Sequence, residues 1–201
     1  MSVPIKEGKL LYHLTSLSNI ESILLNGLQS RAIVTNFKDI ADPDIVKFRD
    51  ENNILNSVPF HFFLGSPFAG RAQMNNPTEE FIYITIHRDT AKKSNFKIIP
   101  THPKHMNPLK IYNYDEGFKI IDWELMETRK YDNPECKEVC MAECISPSSV
   151  IQADQFHSII VKSDDVKKHI ESLCEKLFSH NCKAKLNIFI NVSKESFKMD
   201  L

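Results

Sequence analysis

Glu80-Phe81-Ile82-Tyr83-Ile84-Thr85-Ile86 is the stretch on which the fold turns. Phe81, Tyr83 and Thr85 alternate with Ile82, Ile84 and Ile86, so a strand here offers aromatic or β-branched residues to both sides. A half-solvated strand would alternate apolar with polar; this one reads as a central strand with both faces at least partly covered. Lys9 to Thr15 and Val58 to Leu64 are strand candidates before it. Gly117 to Asp122, Val139 to Ile145, Ser158 to Lys162 and Leu186 to Val192 are candidates after it. Two segments carry helical period. In Ser18 to Asn26, Ile20, Ile23 and Leu24 form one apolar face, Ser18 and Glu21 have capping-box spacing, and Gly27 sits at the C-terminal cap. In Asp164 to Phe178, Val166, Ile170, Leu173 and Leu177 recur at helical spacing. Strands dominate the middle and helices lie outside them, which predicts an α+β fold.

Between these elements, Thr35 to Ser57 is long for a plain connection and is expected to be a functional loop containing some helix. Ser94 to Asp115, with three prolines and two histidines, reads as irregular. The 201 residues, 42% hydrophobic and 25% charged, suffice for one sizeable core, and a single domain over residues 1–201 is expected. A formal net charge of -1, from 25 Lys+Arg and 26 Asp+Glu, lacks the basic footprint of a duplex binder. A nucleic-acid site would therefore be local, or rely on stacking as much as on charge. No apolar run approaches the roughly 18 residues of a membrane span. Met1 to Gly8 lacks a basic-then-apolar leader, so a cytoplasmic protein without a membrane partner is expected. Five unevenly spread cysteines argue against a disulfide framework.

Chemistry-bearing residues cluster in a few places. Tyr12-His13-Leu14-Thr15 ends a strand and runs into the capped helix, with Asn19 one turn beyond Thr15. Imidazole and hydroxyl at a strand exit suit a ligand site; a local cap with a core histidine is the plainer reading. Arg49 alone would be a solvated charge, and the aromatic run Val58-Pro59-Phe60-His61-Phe62-Phe63 a buried strand. Cys140-Met141-Ala142-Glu143-Cys144-Ile145 is the most informative run, because a glutamate in an apolar strand is costly unless it is exposed at a site or paired. By period two, Glu143 shares a face with Met141 and Ile145; a carboxylate projected into a cleft suits catalysis, while an edge-strand surface residue is the plainer reading. Cys136, Cys140 and Cys144 recur every four residues without a CxxC pair, which favours ordinary packing over zinc. His180 and Cys182 lack a second ligand pair, and His102 and His105 lie in the irregular stretch.

In this order, the segments resemble the DarT family of toxin DNA ADP-ribosyltransferases. Tyr12-His13-Leu14-Thr15, Asn19-Ile20, Ser22-Ile23-Leu24 and Asn26-Gly27-Leu28 resemble its opening motif. Lys47-Phe48-Arg49 followed by Val58-Pro59-Phe60-His61-Phe62 is similar to its second block, and Ser66-Pro67-Phe68 to the turn after it. Ile121-Asp122-Trp123 and Met141-Ala142-Glu143-Cys144-Ile145-Ser146-Pro147 resemble the block bearing its catalytic glutamate. The resemblance runs from about Tyr12 to Val161; Phe68 stands where the family often has methionine.

The resemblance implies two packed, mixed β-sheets with flanking helices around a cleft for NAD⁺, used as co-substrate without a metal. It implies His13, Thr15 and Asn19 as NAD⁺ contacts, the first two at the nicotinamide end. Arg49 would bind phosphate or assist in the cleft, and Glu143 would be the central catalytic residue. The loop Thr128 to Lys137 would face the nucleic acid, with Arg129, Lys130 and Tyr131 as its contacts. The expected activity is transfer of ADP-ribose to a base of single-stranded DNA, thymine favoured and guanine possible, with a macrodomain antitoxin as partner. Rival readings are an RNA or protein acceptor, an NAD-independent RNA-cleaving toxin using His13 with His61 or His87, and a non-catalytic binding module.

Overall fold

The structure, a computed structural model, describes residues 3–179 and 186–197; His180 and Cys182 fall outside them. In chain order its elements are β1 (Leu10–Ser16), α1 (Ile20–Asn26), β2 (Leu28–Gln29), α2 (Pro43–Glu51), β3 (Pro59–Phe60), α3 (Pro67–Asn75), β4 (Phe81–His87), α4 (Arg88–Lys93) and β5 (Lys97–Ile99). There follow β6 (Tyr112–Asn113), α5 (Tyr114–Ile120), α6 (Trp123–Thr128), α7 (Pro134–Cys140), β7 (Glu143–Ile145), β8 (Val150–Ile151), β9 (Ser158–Val161), α8 (Asp164–Phe178) and β10 (Phe189–Val192).

β4 is central, as its two apolar faces require. One sheet has the order β1-β4-β9-β10 and is mixed: β4 is antiparallel to β1 and β9, and β9 is parallel to β10. The second has the order β3-β7-β5-β6, with antiparallel pairings. Leu11 of β1, Ile84 and Ile86 of β4, Phe60 of β3, Ile98 of β5 and Cys144 of β7 belong to one buried cluster, so the sheets share a core. On the other face of β4, Phe81 and Tyr83 pack with Leu14, Ala69 and Ala72 of α3, and Phe197. Ile82 lies under α1 and α8, through Ile20, Leu24, Val166, Ile170 and Cys174.

Two sutures join the sheets. Tyr12 and His61 exchange both backbone hydrogen bonds, at 2.9 and 2.8 Å, so the free edge of β1 meets the chain leaving β3. Arg88 is buried and gives its guanidinium to three carbonyls, of Leu10, Lys6 and Phe62, while lying over the Phe62 and Trp123 rings. This satisfies its donors where water cannot reach.

Several expectations need correction. Gly117 to Asp122 is not a strand: α5 occupies most of it, and an added Cβ at Gly117 would stand 2.5 Å from Ile98 Cβ. The glycine thus marks the point where the helix presses onto β5. Val139 to Ile145 divides between the end of α7 and a shorter β7. Val58 to Leu64 shrinks to β3 plus the bridge from His61 to Tyr12. The irregular Ser94 to Asp115 contains β5, β6 and the start of α5. Ser18 does not cap the first helix: Ser16 Oγ accepts from the Ser18 N–H and caps a 3-10 turn over Leu17–Asn19, and α1 follows from Asn19 without a side-chain cap. α2 forms inside the expected long loop, started by Asp42, which accepts from the Asp44 N–H.

Gly117→Ala is expected to lower stability by about 1–3 kcal/mol, the usual cost of overpacking. A denaturant midpoint unchanged from wild type would show that α5 does not bear on β5.

Candidate active site

Glu143 opens β7, flanked through Ile99 by β5, and it shares a face with Ile145 while Cys144 enters the main core. Met141, expected on the same face, belongs to the turn after α7. Arg49 comes from the last turn of α2, 94 residues earlier. The two meet as a buried ion pair, Nη1 to Oε2 at 2.6 Å, with Glu143 6% and Arg49 7% exposed. Arg49 Nη2 is directed at the Ile54 carbonyl and Ser57 Oγ, at 3.5 and 3.3 Å. Nη1 of its guanidinium thus meets the carboxylate, while Nη2 faces the segment ahead of β3. Glu143 Oε1 makes no hydrogen bond among the described residues and is not among their fully buried orphan atoms. One carboxylate oxygen is held and the other is uncommitted.

Two imidazoles flank the pair. His13 shares a face of β1 with Leu11 and Thr15, and its Nδ1 lies 2.8 Å from the Pro59 carbonyl. His61 places Nδ1 3.2 Å from the Ala142 carbonyl and stacks on Phe68. A carbonyl only accepts, so in both rings Nδ1 carries the proton and neutral Nε2 holds the lone pair. Burial pushes His13 down to about 4; His61 and Arg49 push the same way, against the Pro59 bond. Burial also lowers His61, with Arg49 and His102 adding to it against the pull of Glu143 and the Ala142 bond. Both rings are thus neutral near pH 7. His87, by contrast, lies on the opposite face of β4 from Ile84 and Ile86, against His157.

Thr15 and Asn19 are buried together at the exit of β1. Asn19 Nδ2 donates to Thr15 Oγ1 at 3.1 Å and to the Lys38 carbonyl at 2.9 Å, while Oδ1 accepts from the Lys38 N–H at 2.7 Å. Both amide hydrogens of Asn19 are spent on fixing Thr15 and the loop ahead of α2. Glu79 ties the same corner, accepting from Ser16 Oγ at 2.5 Å and lying 3.9 Å from Lys38 Nζ.

Arg129 and Tyr131 reach the turn just after His61. Arg129 lies over the Phe63 ring at 4.9 Å, and the Tyr131 hydroxyl donates to the Gly65 carbonyl at 3.2 Å. Tyr131 is half-buried against the core, and Lys130 is exposed. The expected loop Thr128 to Lys137 is shorter, since α7 begins at Pro134. Cys136 and Cys140, on α7, donate to the Leu125 and Met126 carbonyls at the end of α6. Burial pushes Cys140 up to about 12 and raises Cys144, so these thiols stay protonated and act in packing and capping. His102, His105 and Glu138 bring candidate ligand atoms within 4.8 Å of one another. However, His102 Nδ1 accepts from the Lys104 N–H, which leaves the proton on Nε2 of the neutral ring, and His105 is taken by Glu138.

Sequence reasoning brought His13, Thr15, Asn19, Arg49 and Glu143 to notice. It did not assign Ser57, Phe68 or the carbonyl bond of His61. The one signal for the last was a histidine inside an otherwise aromatic strand.

The family model that matches the chain is described as ssDNA thymidine ADP-ribosyltransferase, DarT, and covers residues 12–191. No curated protein matches. Among solved structures, the chain is similar to Thermus sp. 2.9 DarT in complex with ADP-ribosylated ssDNA (TM-score 0.81, 17% identity, 98% of this chain and 100% of that one). It is also similar to Thermus sp. 2.9 DarT in complex with NAD+ (TM-score 0.74, 17% identity, covering 96% and 98%). A third is Thermosipho africanus DarTG in complex with ADP-ribose (TM-score 0.72, 19% identity, 96% of this chain and 52% of that one).

The neutral imidazoles give a pH test. Between the ordinary value of 6.5 and about 4, unfolded His13 holds a proton that folded His13 does not. Stability therefore falls as pH drops through that window. His13→Asn, which does not titrate there, is expected to flatten the acid limb of Tm against pH. An acid limb identical to wild type would mean that His13 is not held neutral.

Proposed function

The chain belongs to the DarT family of ssDNA thymidine ADP-ribosyltransferases, and on that premise we propose how its Arg49–Glu143 cleft performs the transfer. It uses NAD⁺ as co-substrate, moves ADP-ribose to thymine in single-stranded DNA and releases nicotinamide. The observation carrying the site assignment is the buried Arg49–Glu143 pair with one carboxylate oxygen uncommitted.

In the proposed reaction the bond from the ribose anomeric carbon to the nicotinamide ring nitrogen breaks, and its electron pair leaves with nicotinamide. Positive charge accumulates on the ribose carbon, and Glu143 faces it. The neutral pyridine needs no acid to depart. Thymine's other ring nitrogen is bound to deoxyribose, so N3 attacks from the opposite face and its proton passes to Glu143 Oε1. Base pairing would occupy N3, which accounts for a single-stranded acceptor.

His13 and Thr15 are assigned to the nicotinamide end, consistent with their shared face of β1. Asn19 acts by setting Thr15 and the loop at Lys38. Arg49 orients Glu143. Arg129 and Lys130 are assigned to the DNA backbone, and Tyr131 to the acceptor side through its hold on Gly65. Among the described residues no helix is long and apolar enough to cross a membrane, and the DNA acceptor suits a cytoplasmic enzyme. Modifying the DNA of its own cell makes the protein a toxin, and a macrodomain antitoxin that removes ADP-ribose would be the matching partner.

Glu143→Gln is expected to lower transfer by about 100-fold or more, read as mass gain on thymine-containing oligonucleotides with NAD⁺. The amide keeps an oxygen for Arg49, so the fold should survive. Glu143→Ala, which strands the buried Arg49 charge, should also destabilise by about 3 kcal/mol. Undiminished transfer by Glu143→Gln would remove Glu143 from the chemistry.

A further inference from the structure

We propose that His61 is a positioning residue for Glu143, acting through the peptide that precedes it. The β3–β7 ladder pairs Pro59 with Ile145 and Phe60 with Cys144, so the next rung would set His61 against Glu143. That rung does not form: the His61 N–H and C=O face Tyr12 on the other edge, as antiparallel alternation places them, and Phe62, whose N–H would reach the Ala142 carbonyl, leaves the ladder with its own carbonyl on Arg88. The end of β7 that carries Glu143 is thus held by backbone on the β5 side, through Ile99, and lacks a strand partner on the β3 side. The His61 imidazole fills this gap: its Nδ1–H donates to the Ala142 carbonyl at 3.2 Å.

The ring is itself fixed. It is 7% exposed, and it stacks on Phe68 with centroids 5.3 Å apart and planes at 25°. Phe68 comes from the first turn of α3, which Ser66 caps by accepting from the Ala69 N–H. A chain of contacts therefore runs from α3 through Phe68 and His61 to the Ala142–Glu143 peptide. Rotation of that peptide would swing the carboxylate, and a misplacement of about 1 Å can cost on the order of 100-fold in rate.

The activity arm of the test rests on the transferase reading above. His61→Ala should lower kcat about 10- to 100-fold, with KM for NAD⁺ little changed. His61→Asn, whose Nδ2–H takes the place of the imidazole Nδ1–H, should restore most of kcat. His61→Gln, whose amide extends to the place of Nε2, should not. Melting temperatures with and without NAD⁺ report whether each variant folds and binds; should the alanine variant not fold, the asparagine–glutamine contrast decides. Asparagine as impaired as alanine, or glutamine better than asparagine, would overturn the proposal. An independent readout is the ¹⁵N spectrum of the wild-type imidazole. An Nδ1-protonated neutral ring is expected, and an Nε2-protonated one overturns the assignment whatever the activity. Wild-type protein that leaves thymine unmodified would instead count against the transferase reading, with the tautomer result still standing.

Discussion

The Arg49–Glu143 pair constrains everything around it. Two opposite charges, each more than nine-tenths buried, come from elements 94 residues apart, and neither is tolerable there without the other. Pairing does not make such a site a source of stability, since the loss of hydration offsets much of the Coulomb gain. Its worth is geometric. Ile54 and Ser57 receive the second guanidinium nitrogen, so the segment linking α2 to β3 holds the arginine, and the arginine holds one oxygen of the glutamate. This is why a long polar stretch contains a capped helix: a loose loop could not deliver a buried cation to a fixed point.

The sheets supply the other half of that constraint. β7 is short, three residues, and Glu143 is its first. β1 and β3 do not belong to one sheet, yet Tyr12 and His61 join them by two backbone bonds. That suture brings the His13 face of β1 next to the strand end bearing Glu143. The β3–β7 ladder stops one step further on, where the Phe62 carbonyl goes to Arg88 instead of the chain pairing with Ala142. The cleft thus forms where the two sheets meet imperfectly, and side chains, not ladder bonds, complete the hydrogen bonding there.

What could be read in the sequence follows from how local the signal is. The two-faced apolar pattern of Phe81 to Ile86 reports burial on both sides, and β4 is central. Asp164 to Phe178 repeats its apolar residues at helical spacing and is α8 at those bounds. Glu143 stood out because an isolated carboxylate in an apolar run demands an explanation. Gly117 to Asp122 misled because Phe118, Ile120 and Ile121 also fit a strand; the helix is chosen by its contact with Ile98, which no local pattern contains. Ser16 takes the place of Ser18 as cap because a 3-10 turn over Leu17–Asn19 starts directly at the end of β1. Arg49 looked like surface charge in its own segment, and only tertiary structure supplies its partner. The family resemblance supplied what local pattern lacked, by setting Arg49 and Glu143 in one ordered series of blocks.

The electrostatics of the cleft make sense only if its charges are counted together. NAD⁺ brings a cationic nicotinamide ring, and the proposed reaction moves that positive charge onto the ribose carbon. One uncompensated cation about 4 Å away would cost about 4 kcal/mol at an effective dielectric constant near 20, roughly three powers of ten in rate. Arg49 would be such a cation if Glu143 did not neutralise it. His13 and His61 would be two more if they were protonated. Burial lowers both, and the shared presence of Arg49 lowers them further. Each histidine still offers its Nδ1–H to a carbonyl, so it keeps its orienting role without its charge. The arginine that holds the Glu143 carboxylate therefore also helps keep its neighbours neutral, and in the proposed reaction that carboxylate is the group that meets the developing charge.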